Sequence, residues 1–179
     1  MKKHFLIFLC GILLSAHYAG AQETGPTESQ IKAAFLYNFV KFIDWPDNAN
    51  TLTLCILGED RFGKDIDSIE GKAAAGKALS VRRIKSVQDI KQCRMLFIAS
   101  SENERLSGIL TAAQGLNIIT VGDTAGYAER GVIINFYMEQ NKVRFEINKD
   151  AAARSGLKIS SKLFSLARIV YDTPTNKGY

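Results

Sequence analysis

The chain has 179 residues, 46% of them hydrophobic, with 23 basic and 18 acidic side chains and a formal charge of +5 at pH 7. The basic residues are interleaved with acids and form no stripe, which excludes a nucleic-acid footprint. Both histidines, His4 and His17, lie in the first twenty-one residues. Once that segment is removed, Ser/His and Cys/His catalysis and histidine metal sites are excluded as well.

Residues 1–21 have the layout of a secretory signal peptide. Lys2 and Lys3 form a basic start, Phe5 to Leu14 an apolar run, and Ala19-Gly20-Ala21 a small-x-small cleavage site before Gln22. The run is too short to span a membrane, which takes about 20 apolar residues. Leu9 stands before Cys10 where a lipoprotein leader would have a small residue, so a cleaved leader is favoured over a lipid anchor. The expectation is an exported, periplasmic protein with no membrane insertion, its formal charge lowered by two from +5 to +3.

Residues 22–27 read as a flexible leader, 28–172 as a single domain and 173–179 as a disordered tail. Ile31, Phe35, Phe39 and Ile43 recur four apart, with Leu36 and Val40 widening the face. This predicts an amphipathic helix of about four turns, capped by Thr27 or Ser29 and ended at Asp44-Trp45-Pro46. Leu52–Leu57 predicts a strand buried on both faces, and a short helix follows over 62–69. Alternation over Leu79–Ile84 predicts a strand near an edge, 86–92 a helical turn or two, and Met95–Ala99 another buried strand. Ser101 with Glu104 reads as a capping box opening a helix that Gly115 ends, and Asn117–Val121 as a fourth strand. Val132–Tyr137 and Lys142–Ile147 pair as a hairpin, before helices over 150–155 and 160–171. The alternation gives an α/β fold, a mostly parallel central sheet flanked by helices, with a C-terminal antiparallel hairpin.

Two cysteines, Cys55 and Cys93, survive cleavage. An extracytoplasmic compartment lets them pair, closing a loop that stabilises by about 4 kcal/mol in the chain-entropy model. Two buried thiols are the other reading, since each lies in or beside an apolar run. Gly58 to Asp65 (GEDRFGKD) matches a phosphate-binding loop except at its end. Asp65 replaces the hydroxyl that would hold magnesium and would repel phosphates, so a plain strand-to-helix turn is preferred.

Three predicted strands end in small residues followed by acids: Gly58-Glu59-Asp60, Ser100-Ser101-Glu102 and Gly122-Asp123. In an open parallel sheet these turns gather at the carboxyl edge, where ligands bind, so Gly58, Ser100 and Gly122 mark a small-ligand site if there is one. Helix capping accounts for the same residues. On the hairpin, Arg144, Glu146 and Asn148 share one face, which reads as solvated surface or partner contact. Trp45 next to Pro46 either closes the edge of a core or anchors a partner. No catalytic or metal-ligating constellation stands out, and no cofactor is expected.

The segments KAAFLYNFVKFIDWP (Lys32 to Pro46), LCILGEDRFG (Leu54 to Gly63), CRMLFIASSE (Cys93 to Glu102) and VRFEINKDAAARSGLKISSKLFSLA (Val143 to Ala167), in this order and spacing, resemble the YfiR family. The resemblance implies an α/β sandwich-like domain and a small periplasmic regulator, commonly a homodimer. Such a protein is not an enzyme; it represses a membrane-bound diguanylate cyclase by binding its periplasmic sensory domain, and an outer-membrane lipoprotein relieves the repression. By the same resemblance the receptor is an inner-membrane protein such as a diguanylate cyclase or a histidine kinase. Cys55 and Cys93 fit one cysteine pair of the family pattern, and a second pair, associated there with redox behaviour, is absent. The leading expectation is a binding regulator that uses Arg144, Glu146, Asn148 and Trp45; the alternative is a small-ligand sensor.

Overall fold

The computed structural model describes residues 25–46 and 49–173. The expected signal peptide, the first residues of the leader and nearly all of the expected tail lie outside that range. In chain order come α1 (Glu28–Phe39), β1 (Ile43–Asp44), β2 (Thr51–Leu57), α2 (Lys64–Asp67), β3 (Ala73–Ala74), β4 (Lys77–Ile84), β5 (Met95–Ile98) and α3 (Leu106–Ala113). Then follow β6 (Ile119–Gly122), β7 (Ile134–Glu139), β8 (Lys142–Asn148), α4 (Lys149–Arg154), β9 (Lys158–Ile159), α5 (Ser161–Phe164) and β10 (Arg168–Val170). Three 3-10 segments cover 40–42, 87–92 and 100–105.

Eight strands form one sheet in the order β10-β8-β7-β6-β5-β2-β4-β3, and β1 pairs with β9 separately. From β4 to β7 every pairing is parallel, while the β7–β8 hairpin is antiparallel. This is the expected α/β architecture. Strict alternation places Leu54, Ile56, Met95 and Phe97 against α1 on one face. Cys55, Leu57, Leu96 and Ile98 pack with Leu106 and Ile109 of α3 on the other. Both runs are continuously apolar because each strand has a layer on each side. Among the described residues no helix is long and apolar enough to cross a membrane.

Four local expectations are corrected. The first helix stops at Phe39 and tightens into a 3-10 turn, because Ile43 and Asp44 leave it to pair with Ile159 and Lys158. Thr27 caps its start, completing a box with Gln30. Ser101 caps no helix; its hydroxyl accepts the Glu59 N–H at 2.9 Å and ties the β2 turn to the β5 turn. The helix expected over 62–69 is only the single turn of α2. The closing helix expected over 160–171 is one turn, α5, after which the chain extends as β10 parallel to β8.

Candidate functional site

The hairpin turns at Gln140 and Asn141, both with positive φ, the conformation that a two-residue turn needs to match strand twist. Phe145 faces α1, its ring centroid 5.0 Å from that of Phe39. Arg144, Glu146 and Asn148 share the opposite face, as expected, but that face is not open to solvent along its length. Arg144 is exposed, whereas Glu146 is 2% exposed and Asn148 fully buried.

The cause of this correction is the loop between β6 and β7, which folds over the hairpin, together with β10 at its side. Asn135 on β7 donates from Nδ2 to Glu146 Oε1 and to the Thr124 carbonyl, both at 3.0 Å. Arg168 of β10 donates to Glu146 Oε2 from Nε at 3.0 Å and also from Nη2, and its guanidinium lies 3.9 Å from the Tyr137 ring centroid. Asn148 donates to the Ala128 carbonyl at 2.6 Å and to Asp172 Oδ1 at 2.7 Å, and accepts the Ala151 N–H at the start of α4. Glu146 and Asn148 therefore hold the C-terminal segment to the sheet and cannot themselves meet a partner.

Among the described residues β10 is the last strand on this side of the sheet, and none of them forms a strand beside its outer N–H and C=O groups. The large exposed hydrophobic side chains among the described residues are Met138 on β7 and Leu166, Ile169 and Tyr171 on or beside β10. Leu166, Ile169 and Tyr171 belong to this edge, whereas Met138 lies two strands in, beside Val143 near the hairpin turn. The segment is tied down by polar contacts: Arg154 pairs with Asp172 at 2.6 Å, the Asp172 N–H reaches Asp150 Oδ2 at 3.2 Å and the Thr173 N–H reaches the Glu129 carbonyl at 2.9 Å.

Trp45 lies far along the chain from this edge. Half-buried, it packs against the core beside α1 and donates from Nε1 to the Val40 carbonyl at 3.1 Å, satisfying a helix-terminal acceptor. Cys55 and Cys93 form a disulfide with Cα atoms 5.7 Å apart, wholly within the α3-side core.

The turns after β2, β5 and β6 do gather at the carboxyl edge, where a cleft of about 380 Å³ opens. Of the three residues expected there, Ser100 lines it. Gly58 (φ +97°) is a close approach between turns, where a Cβ would stand 2.5 Å from Ser101 Oγ and 2.8 Å from Glu102 Cγ. Gly122 backs onto Tyr127, 2.7 Å from the position of an added Cβ. Asp60 accepts the Phe62 N–H at 2.7 Å, so GEDRFGKD is a strand-to-helix turn.

Inside the cleft Lys32 reaches Glu28 at 2.6 Å and Asp123 at 2.7 Å. Burial pushes its ammonium group down, but the hydrogen bonds and charges of Asp123 and Glu28 outweigh that and hold its pKa above the ordinary lysine value. The Phe62 and Phe97 rings meet edge to face at 4.8 Å. Sequence reasoning missed Lys32, Asn135 and Arg168. For Lys32 a signal existed, since a lysine four residues before Leu36 falls on the buried face of α1.

A family model described as YfiR/HmsC-like matches residues 29–168. Among solved structures the chain is similar to an ABC domain from Streptococcus pneumonia in complex with L-Trp, with a TM-score of 0.53 and 10% identity over 79% of this chain. It is also similar to a conserved domain protein from Vibrio cholerae O1 biovar eltor, with a TM-score of 0.52 and 13% identity over 80% of this chain. The chain spans 60% of the length of each. At such identities the likeness is one of fold alone.

Proposed function

Because the chain belongs to the YfiR/HmsC-like family, we propose that it is a periplasmic regulator that acts by protein contact without catalysis. It holds an inner-membrane signalling protein, a diguanylate cyclase ahead of a histidine kinase, inactive through that protein's periplasmic sensory domain. The observation that carries this reading is the β10 edge. Three exposed large apolar side chains, Leu166, Ile169 and Tyr171, lie on or beside a strand with no neighbour on its outer side among the described residues, and such an edge invites addition of a partner strand or docking of an apolar face. Arg144, exposed on the adjoining hairpin, and Trp45 are the further contact residues of this proposal. The single domain over 28–172, the homodimer and the outer-membrane lipoprotein that relieves repression belong to it too.

Deletion of the gene is expected to raise cellular cyclic-di-GMP, measured by mass spectrometry of nucleotide extracts. The wild-type protein should restore the low level and Ile169→Glu, at unchanged melting temperature, should not. An unchanged level on deletion would overturn the cyclase reading.

A second reading, a small-ligand sensor, is favoured by the carboxyl-edge cleft that joins Ser100, Lys32 and Asp123 to the Phe62–Phe97 pair. Thermal-shift screening against amino acids, including the L-Trp bound by the Streptococcus domain, and against nucleotides separates it from the first.

A further inference from the structure

Away from the carboxyl-edge cleft, a second cavity of about 250 Å³ lies between α3 and α4. Its floor is apolar, with Leu110, Ile118 and Ile133, and Arg130 and Arg154 stand at its rim. Among the described residues no aspartate or glutamate lines it. The buried Thr120 also lines it; its Oγ1 accepts the Ile133 N–H at 3.0 Å, which leaves the hydroxyl proton to donate. Arg130 is braced by Asn103, through the side-chain oxygen at 2.6 Å and the carbonyl at 3.0 Å. Arg154 contacts Asp172 through Nη1, and a guanidinium has further N–H donors in a fork that matches a carboxylate.

We propose that this cavity is a binding site for a small organic acid, its carboxylate held by Arg154 and Arg130 and its apolar body on Leu110, Ile118 and Ile133, and that occupancy loosens β10. The volume is below the roughly 300–1,000 Å³ of drug-sized sites, which limits the body to one ring or a short branched chain. The coupling runs through Arg154, which lines the cavity and ties down the C-terminal segment. A ligand carboxylate that draws the guanidinium inward weakens its bond to Asp172. Asp172 is then left beside the Asp150 carboxylate, which accepts its N–H, so lost attraction is joined by uncompensated repulsion. Acid binding thereby frees the edge strand. The site stands independently of the regulatory reading; only the consequence, a docking edge that responds to a metabolite, rests on it.

Isothermal titration calorimetry on the purified protein tests the site with 3-phenylpropanoate, 4-methylpentanoate and indole-3-acetate, and with 3-phenylpropanamide as the uncharged control. At least one acid is expected to bind saturably at one site. 3-Phenylpropanamide should bind at least tenfold more weakly than 3-phenylpropanoate, and Arg154→Gln should weaken acid binding about tenfold. Leu110→Trp, which fills the cavity, should abolish binding if Arg154→Gln proves poorly folded. Asp172→Asn removes the competitor for Arg154 and should tighten acid binding about threefold. In the wild-type protein a saturating acid should speed amide hydrogen exchange across residues 168–172. No binding by any of the three acids, equal binding of acid and amide, or binding that survives both Arg154→Gln and Leu110→Trp overturns the site. Unchanged affinity in Asp172→Asn or unchanged exchange overturns the coupling. Cyclic-di-GMP enters none of these measurements, so failure of the regulatory reading would leave them unmoved.

Discussion

Glu146 has 3% of its side chain exposed, and Asn135 and Arg168 both donate to its carboxyl oxygens. A buried carboxylate without its cation costs several kcal/mol, whereas the pair as a whole is close to neutral against an apolar replacement. Arg168→Leu is therefore expected to destabilise by about 3 kcal/mol, the low end of the range for breaking a buried pair, since the Arg168 side chain is 51% exposed. Glu146→Gln combined with Arg168→Leu should recover most of that loss, because no buried charge then remains. Urea denaturation of the two variants decides it: equal stabilities would show that the charge is solvated some other way. The side chain's burial was not legible in the sequence. Alternation correctly put Glu146 on the face away from Phe145, but a period of two fixes only the face, and what covers the face is decided by the β6–β7 loop, whose Ala128 is 20 residues from the Asn148 it meets.

At the scale of elements, the same division holds between what local pattern determines and what distant partners determine. β2 and β5 were readable because Leu54–Leu57 and Met95–Ile98 are unbroken apolar runs buried on both faces, and the hairpin because its alternation is clean. β10 was not. Leu163, Leu166, Ala167 and Val170 recur at helical spacing, yet Leu166 ends up 63% exposed. β8 offers an open edge to the β-branched Ile169 and Val170, and Glu146 offers Arg168 a partner, and these tertiary gains exceed the small propensity differences that favour a second helical turn.

The strand's attachment is polar and so depends on pH. The hydrogen bond from Arg154 holds the Asp172 carboxyl below the ordinary aspartate value; burial opposes this, and the Asn148 amide adds to it. A depressed carboxyl contributes stability that is complete above the unfolded aspartate value of about 3.9 and is lost as pH falls through the folded value. Hydrogen-exchange protection of residues 168–171, relative to β5, should fall as pH is lowered below about 4. In Asp172→Asn it should already be low and vary less. Protection that holds constant in the wild type until the whole protein unfolds would mean that Asp172 does not tie the strand.

For the whole molecule, the eight-stranded sheet separates two packed layers and also sets a distance between the disulfide and the β10 edge. Cys55 on β2 and Cys93 before β5 lie in the α3-side core, and four strands stand between β2 and β10, roughly 24 Å at the usual strand spacing. The cysteine pair was left open by the sequence because neighbouring parallel strands were expected but their order was not; adjacency of β2 and β5 brings the two sulfurs together. Its role follows from its place. A fully buried bond inside an apolar layer is poorly accessible to thiols, which need to reach a sulfur to exchange, and no strand of the β10 edge touches it. Its contribution is to constrain the unfolded chain over a separation of 38 residues, about 4 kcal/mol in the chain-entropy model. Cys55→Ala with Cys93→Ala should lower the melting temperature by roughly 10 °C. Hydrogen exchange at residues 168–171 and control of cyclic-di-GMP in the deletion strain should stay unchanged at temperatures where the variant is folded. Loss of control in a folded double variant would instead make the disulfide part of the switch, with the sheet transmitting its state across four strands to the edge.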